Sequence, residues 1–289
     1  MKKFLVFLSV LFVLVLAACG GGDSEEDTSN ENTSGDSNAE SEENVELIVG
    51  ASSVPHSEIL EEAKPLLEEE GITLTIEEYQ DYVFPNDDLA SGDLDANYFQ
   101  HIPFLKQTIG DTGYELENIG GVHVEPMGVY SKGIESVDDI EEGTEVILSN
   151  SVPDHGRVLA LFESEGLITL DESVEKSEAT IDDIVENPKN LKFSPDYTPE
   201  ILPELYHSEE NTLVVINTNF AIGADLNPLE DALFIEGEDS EYVNIVAARA
   251  EDKDNEALNT LVDVLQSEEI QDFIIENYEG AIVPVGGKN

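Results

Sequence analysis

The chain has 289 residues, with 65 Asp and Glu against 12 Lys and Arg, for a formal net charge of -53. So few cations cannot neutralise a phosphate backbone or an anionic lipid surface, which excludes nucleic-acid binding and polybasic membrane docking. The apolar content of 40% supplies a real core, and the single cysteine, Cys19, excludes an intramolecular disulfide framework.

In chain order, Lys2 and Lys3 precede an apolar run from Phe4 to Ala18. That run is shorter than the about 20 residues a membrane helix needs, and it fits a signal peptide over residues 1–18. Leu16-Ala17-Ala18-Cys19-Gly20 reads as a bacterial lipobox, in which Cys19 is lipidated and becomes the first mature residue. Residues 20–44 carry nine acids, no base and one apolar side chain, Ala39. Such a stretch cannot bury enough surface to offset its ordering entropy, so residues 19–44 are expected to be a lipidated Cys and a disordered acidic tether.

The globular part is expected over residues 45–289. Val45–Ala51 is strand-like, and Ser57–Glu70 places Ile59, Leu60, Ala63, Leu66 and Leu67 at helical spacing before Gly71, with Pro65 as a break signal. Ile72, Leu74 and Ile76 alternate as a strand, which completes a βαβ unit and predicts an α/β fold with parallel pairing. Further strands are expected at Val122–Tyr130, Glu145–Leu148, Leu213–Ile216 and Tyr242–Ala248. Further helices are expected at Gly156–Glu165, Ala257–Gln266 and Glu268–Tyr278.

The chain has no Gly-x-Ser-x-Gly elbow, Walker A loop, Gly-x-Gly-x-x-Gly fingerprint or His-Glu-x-x-His pair. His56, His101, His123, His155 and His207 are scattered, and none stands at zinc-ligand spacing from another. Neither a catalytic centre nor a metal or cofactor site is therefore expected, although the fold could still gather distant His and Asp residues. Of two arginines, Arg157 follows Pro153-Asp154-His155-Gly156 in the first turn of a predicted helix. A guanidinium there suits bidentate capture of a carboxylate, and an ion pair with one of the many acids is the alternative. The block Asp95–Leu105 is rich in aromatic and hydrogen-bonding groups, and taken alone it reads as core packing rather than as a ligand wall. Asn217-Thr218-Asn219-Phe220 directly follows a buried-type strand, where α/β folds place ligand groups; a helix cap is the alternative.

Several ordered blocks together resemble the NlpA lipoprotein family, the methionine-binding lipoproteins of bacterial ABC importers. They are Val54–Leu60, Asp81-Tyr82-Val83, Asn97–Leu105, Val122–Ser131, Asn187–Leu191, Val215–Asn219, Tyr242-Val243-Asn244 and Gln266–Glu269. The resemblance implies a two-lobed periplasmic-binding-protein-like (type 2) fold with a hinge of two crossing segments. One lobe would span about 45–127 plus 244–289 and the other about 128–243. It further implies ligand contacts at Tyr82, Phe99, His101, Arg157, Asn217 and Asn244: Arg157 on the ligand's carboxylate, both asparagines on its head group, Tyr82 and Phe99 around the thioether, and His101 at the rim. The implied partners are L-methionine, an ABC permease with its ATPase, and the membrane at the extracytoplasmic face through the lipid on Cys19. Where relatives often carry Asn-Asp-Pro-Thr-Asn-Gly-Gly before the arginine, this chain has Asn150-Ser151-Val152-Pro153-Asp154-His155-Gly156. Another amino acid or a methionine dipeptide is the alternative ligand. An adhesion lipoprotein and an enzyme are the alternative classes.

Beyond the tether the chain carries 56 acids against 10 bases. Self-repulsion of that size destabilises a compact state in dilute buffer, and molar salt, with a Debye length of about 3 Å, screens it. The acids are spread and form no Asp-x-Asp-x-Asp-Gly loop, so adaptation to a salty environment is expected rather than calcium loading. The melting temperature should climb as NaCl is raised from dilute to molar. A melting temperature and ellipticity unchanged by salt would refute that adaptation.

Overall fold

The computed structural model describes residues 44–237 and 240–286. The signal peptide, Cys19 and nearly all of the tether lie outside the described residues. In chain order the strands are β1 (Val45–Ser52), β2 (Ile72–Tyr79), β3 (Ala96–His101), β4 (Leu116–Val124), β5 (Gly128–Tyr130), β6 (Glu145–Ser149), β7 (Thr169–Leu170), β8 (Ile184–Glu186), β9 (Lys192–Tyr197), β10 (Leu213–Ile216), β11 (Phe234–Ile235), β12 (Val243–Arg249) and β13 (Val283–Pro284). Two main sheets result, ordered β13-β4-β12-β3-β1-β2 and β11-β5-β10-β6-β9.

The first sheet is mixed. β1 runs parallel to β2 and β3, and β12 runs antiparallel to β3 and β4. The β1–β2 crossover is α1 (Glu58–Glu69), which buries Ile59, Leu60, Ala63 and Leu67 on the sheet, as its periodicity predicts. Pro65 does not break it. Proline removes the N–H that would bond Glu61, but Pro65 lies on the exposed face, where water can satisfy that carbonyl. The helices Glu256–Leu265 and Glu268–Tyr278 cover the same face, adding Leu258, Leu261, Ile270 and Ile274 to the core.

The second sheet has its own core, built on Val129, Val146, Leu148, Leu213 and Val215. α4 (Val152–Ser164) packs Val158, Leu159 and Phe162 into it. α4 starts four residues before the predicted Gly156, because Pro153 is well placed in a first turn, where its missing N–H costs nothing. The expected strand Val122–Tyr130 is two strands in two different sheets. The break falls at Glu125-Pro126-Met127, since Pro126 cannot donate to a ladder. The chain thus passes from the first sheet to the second between Val124 and Gly128, and returns between Ile235 and Val243.

Gly156 marks a close approach. A Cβ there would run into the backbone carbonyls of Lys176 and Ser177, so the turn at 176–178 lies directly on α4. Gly110, in α3 (Ile102–Thr112), has open space where a side chain would go. In urea denaturation, Gly156→Ala should destabilise by about 1–3 kcal/mol through overpacking. Gly110→Ala should be neutral or stabilise by about 0.5–1 kcal/mol. A neutral Gly156→Ala would refute the tight contact.

Candidate functional site

A small, partly open cavity of about 30 Å³ lies between the two sheets. Tyr82, Phe99, Gln100, His101, Phe104 and Asn244 come from the first half; Asp154, Arg157, Asn217, Thr218 and Asn219 come from the second, and Glu125 and Met127 from the crossing. All six expected ligand-contact residues stand on these walls. Their placement follows from local structure. Phe99 and His101 end β3, with Asn244 paired opposite His101 in β12. Asn217 follows β10 at the start of the helix Thr218–Gly223. Tyr82 sits in a turn closed by Asp81, whose carboxylate accepts from Val83 N at 2.7 Å.

One wall is aromatic. Tyr82 lies 6.0 Å from Phe99, 5.9 Å from Phe104 and 5.2 Å from Phe220 between ring centroids. With Met127 this makes a slot suited to a flexible apolar chain. Two bonds cross the cleft at this level: Tyr82 Oη donates to Asn219 Oδ1 at 2.6 Å, and His101 Nε2 donates to Asp154 Oδ1 at 3.0 Å. Both ring nitrogens of His101 are engaged, since Nδ1 accepts from Phe104 N at the start of α3.

The opposite wall is charged. Arg157 is buried, and its guanidinium lies 4.4 Å from the Tyr242 ring centroid. Nε and Nη2 donate to Glu236 Oε2, and Nη2 also donates to the Glu125 carbonyl at 2.9 Å. The edge that suits bidentate capture is therefore taken by the protein itself. Nη1 remains, 3.7 Å from Asp154 Oδ1. Burial works to raise the Asp154 carboxyl, but His101 and Arg157 outweigh it and hold its pKa well below the usual range. Asn217 Nδ2 donates to Asp154 Oδ2 at 3.3 Å, while the buried Asn217 Oδ1 has no partner among the described residues. The wall thus offers one cationic N–H end and an anionic acceptor face side by side.

Behind the cavity, Glu125 joins both halves. Its Oε1 accepts from His123 Nε2 at 2.8 Å and lies 3.3 Å from His56 Nε2, and its Oε2 accepts from Asn219 N at 3.1 Å. Burial works to raise its carboxyl, and His56, His123 and Arg157 overcome that and lower it. His56, His123 and Glu125 have the spacing of a cation site, with ligand atoms within 4.8 Å of one another, although the same atoms already bond each other.

Sequence reasoning missed Glu236, because no motif marks it and only the return of β11 brings it to Arg157. Asp154 carried a usable signal, standing three residues before Arg157 and so on the same helix face. His155, the other unusual residue of that loop, bonds the Ser149 carbonyl at 2.9 Å and is not on the cavity wall.

The NlpA lipoprotein family profile matches residues 47–286. The chain is 43% identical over 286 residues to the methionine-binding lipoprotein MetQ of Bacillus subtilis, covering 98% of each. A crystal structure of a pheromone cOB1 precursor/lipoprotein from Enterococcus faecalis V583 is 50% identical, with TM-score 0.81, over 83% of this chain and 100% of that one. A nutrient binding protein from Burkholderia cenocepacia bound to methionine is 37% identical, with TM-score 0.78, over 82% of this chain and 99% of that one.

His56 supplies a test of this buried network. Burial, partly offset by Glu125, pushes its pKa from 6.5 down to about 4. Between those values the unfolded chain binds the proton and the folded chain does not. Stability from this group is whole above pH 6.5 and is lost as the pH falls toward 4, by about 3 kcal/mol. Asp154 and Glu125, both held low, should remove more as the carboxylate range is crossed. Urea unfolding of wild type at pH 7, 5 and 4 should show the decline, and His56→Gln should flatten it between pH 6.5 and 4. An equal slope in the variant would contradict this.

Proposed function

Because the chain belongs to the NlpA lipoprotein family, we propose that it is a substrate-binding protein that captures methionine in this cleft and delivers it to an ABC importer. It acts by binding and not by catalysis. The observation that carries the reading is the pairing, in one cavity, of an aromatic slot with a wall that offers both a cationic donor and an anionic acceptor face. An amino acid with an apolar side chain has matching ends. Methionine recognition is supported by the methionine-binding name of the Bacillus subtilis relative and by the methionine-bound Burkholderia cenocepacia protein.

In this reading the ligand carboxylate meets Arg157 end-on through Nη1, because Glu236 holds the guanidinium from behind. Asn244 and Asn217 bond the head group, and the ammonium faces Asp154 and the unpartnered Asn217 Oδ1. The thioether lies between Tyr82, Phe99 and Met127, where sulfur packs well against rings. His101 holds the rim by its bond to Asp154 rather than by a free nitrogen. The lobes would be residues 45–127 plus 244–289 and residues 128–243, closing on the ligand through differential contacts. Lipid on Cys19, after removal of residues 1–18, would hold the domain at the extracytoplasmic face through residues 19–44, within reach of the permease and its ATPase.

The test is calorimetric titration of protein that starts after Cys19, unfolded and refolded to strip carried-over ligand, in molar salt. L-Methionine should bind saturably. Arg157→Ala should weaken it by about 2–5 kcal/mol, the cost of losing a desolvated charge-assisted contact. Wild-type affinity in that variant would end the carboxylate role of Arg157. Binding of another amino acid instead of methionine would move the specificity to the 150–156 loop. No heat from any amino acid or methionine dipeptide would overturn the reading.

A further inference from the structure

We infer that His56 is a positioning residue that fixes which way the Asn244 amide faces, so that Asn244 presents hydrogen-bond donors to the cavity. The inference deepens the reading of the cleft as an amino-acid site, and rests on that reading for its consequence in binding. His56 is itself absent from the cavity wall and buried behind it.

The reasoning is a count of protons along one relay. The Glu125 carboxylate takes bonds at both oxygens, from His123 Nε2 and from Asn219 N, and an ionised carboxylate only accepts. His123 therefore carries its proton on Nε2, and its Nδ1 accepts from Tyr98 Oη. His56 Nε2 stands 3.3 Å from the same Glu125 oxygen, so it too carries the proton. Its Nδ1 is then a bare acceptor, which agrees with that atom having no partner among the described residues. The His56 Nε2–H is shared with Asn244, 3.0 Å away, and the Asn244 atom that meets it must be the acceptor, Oδ1. The amide nitrogen consequently lies at the other end of the group, toward the cavity.

Turning the amide over would set two donors against each other in a buried site and leave both unsatisfied. Asn217 has the opposite setting: its nitrogen is spent on Asp154, and its oxygen is the unpartnered group. Two asparagines on facing walls are thus locked with opposite polarity. A zwitterionic head group fits in one orientation, carboxylate to Asn244 and Arg157, ammonium to Asn217 and Asp154.

Nitrogen-15 NMR of the histidine rings in the wild-type protein at pH 7 tests the relay directly. His56 and His123 should both be neutral with the proton on Nε2. A proton on His56 Nδ1 would overturn the inference whatever the ligand proves to be. Titration with L-methionine tests its consequence. His56→Leu, which cannot donate, should weaken binding about tenfold, whereas His56→Gln, whose side-chain NH2 reaches the same position, should stay within about threefold of wild type. A 1.4 kcal/mol loss corresponds to that tenfold change. Equal losses in Leu and Gln variants, or wild-type affinity in His56→Leu, would show that His56 only packs. Should His56→Leu not fold, the ring measurement decides. A wild-type protein with Nε2 protons on both rings that binds no amino acid or methionine dipeptide would sink the functional reading and leave the relay standing.

Discussion

The carboxylate of Glu125 is the constraint on which the cleft depends. It sits in the first crossing between the sheets, where Pro126 ends one ladder before the next begins. One oxygen is tied to histidines of the first half and the other to the backbone N–H of Asn219 in the second. Its backbone carbonyl accepts from Arg157. A buried charge of this kind is tolerable only when fully bonded, and removing one partner leaves it uncompensated at a cost of several kcal/mol. The crossing is therefore pinned on both sides by a group that cannot easily exchange partners.

Arginine use makes the same point from the cationic side. The two arginines of this acidic chain are both placed with care. Arg249 bonds Asp252 and the carbonyls of Leu89 and Leu94, and so ties the end of β12 to the segment before β3. Arg157 is held in the cavity wall by Glu236 and the ring of Tyr242. With Nε and Nη2 committed, the side chain has lost its rotamer freedom before anything arrives, and less entropy remains to be lost on binding.

Much of this was legible in the sequence, and the reasons differ by residue. α1, Leu213–Ile216 and Glu268–Tyr278 carry clear periodicity or length signals, and the observed bounds agree closely. β3 gave no alternation because all six of its residues are buried, which is how a strand covered on both faces reads. The Val122–Tyr130 run looked continuous because both of its halves are apolar strands; only Pro126 hinted that they part. Within the site, the rarity of arginine and the position of Asn217 after a strand pointed to their places. The resemblance supplied Tyr82, Phe99, His101 and Asn244. His123 near the end of β4 and Glu125 just past it, only two residues apart, were readable as a pair. Their partner His56 and the Arg157–Glu236 pair were not, since each joins segments far apart in the chain and only the folded topology brings them together.

The two bonds that span the cleft, Tyr82 to Asn219 and His101 to Asp154, have a consequence for the unloaded protein. They are made by the protein alone, so if the lobes close as proposed they would lower the free energy of the shut form whether or not the cleft is loaded. A ligand then has less work to do, and its apparent affinity rises with the fraction of receptors already competent. The gain would be offset in discrimination, because an unloaded receptor that shut by itself would resemble a loaded one. The strength of these two bonds would therefore set a trade between scavenging at low concentration and wasted encounters with an importer that reads the shut shape.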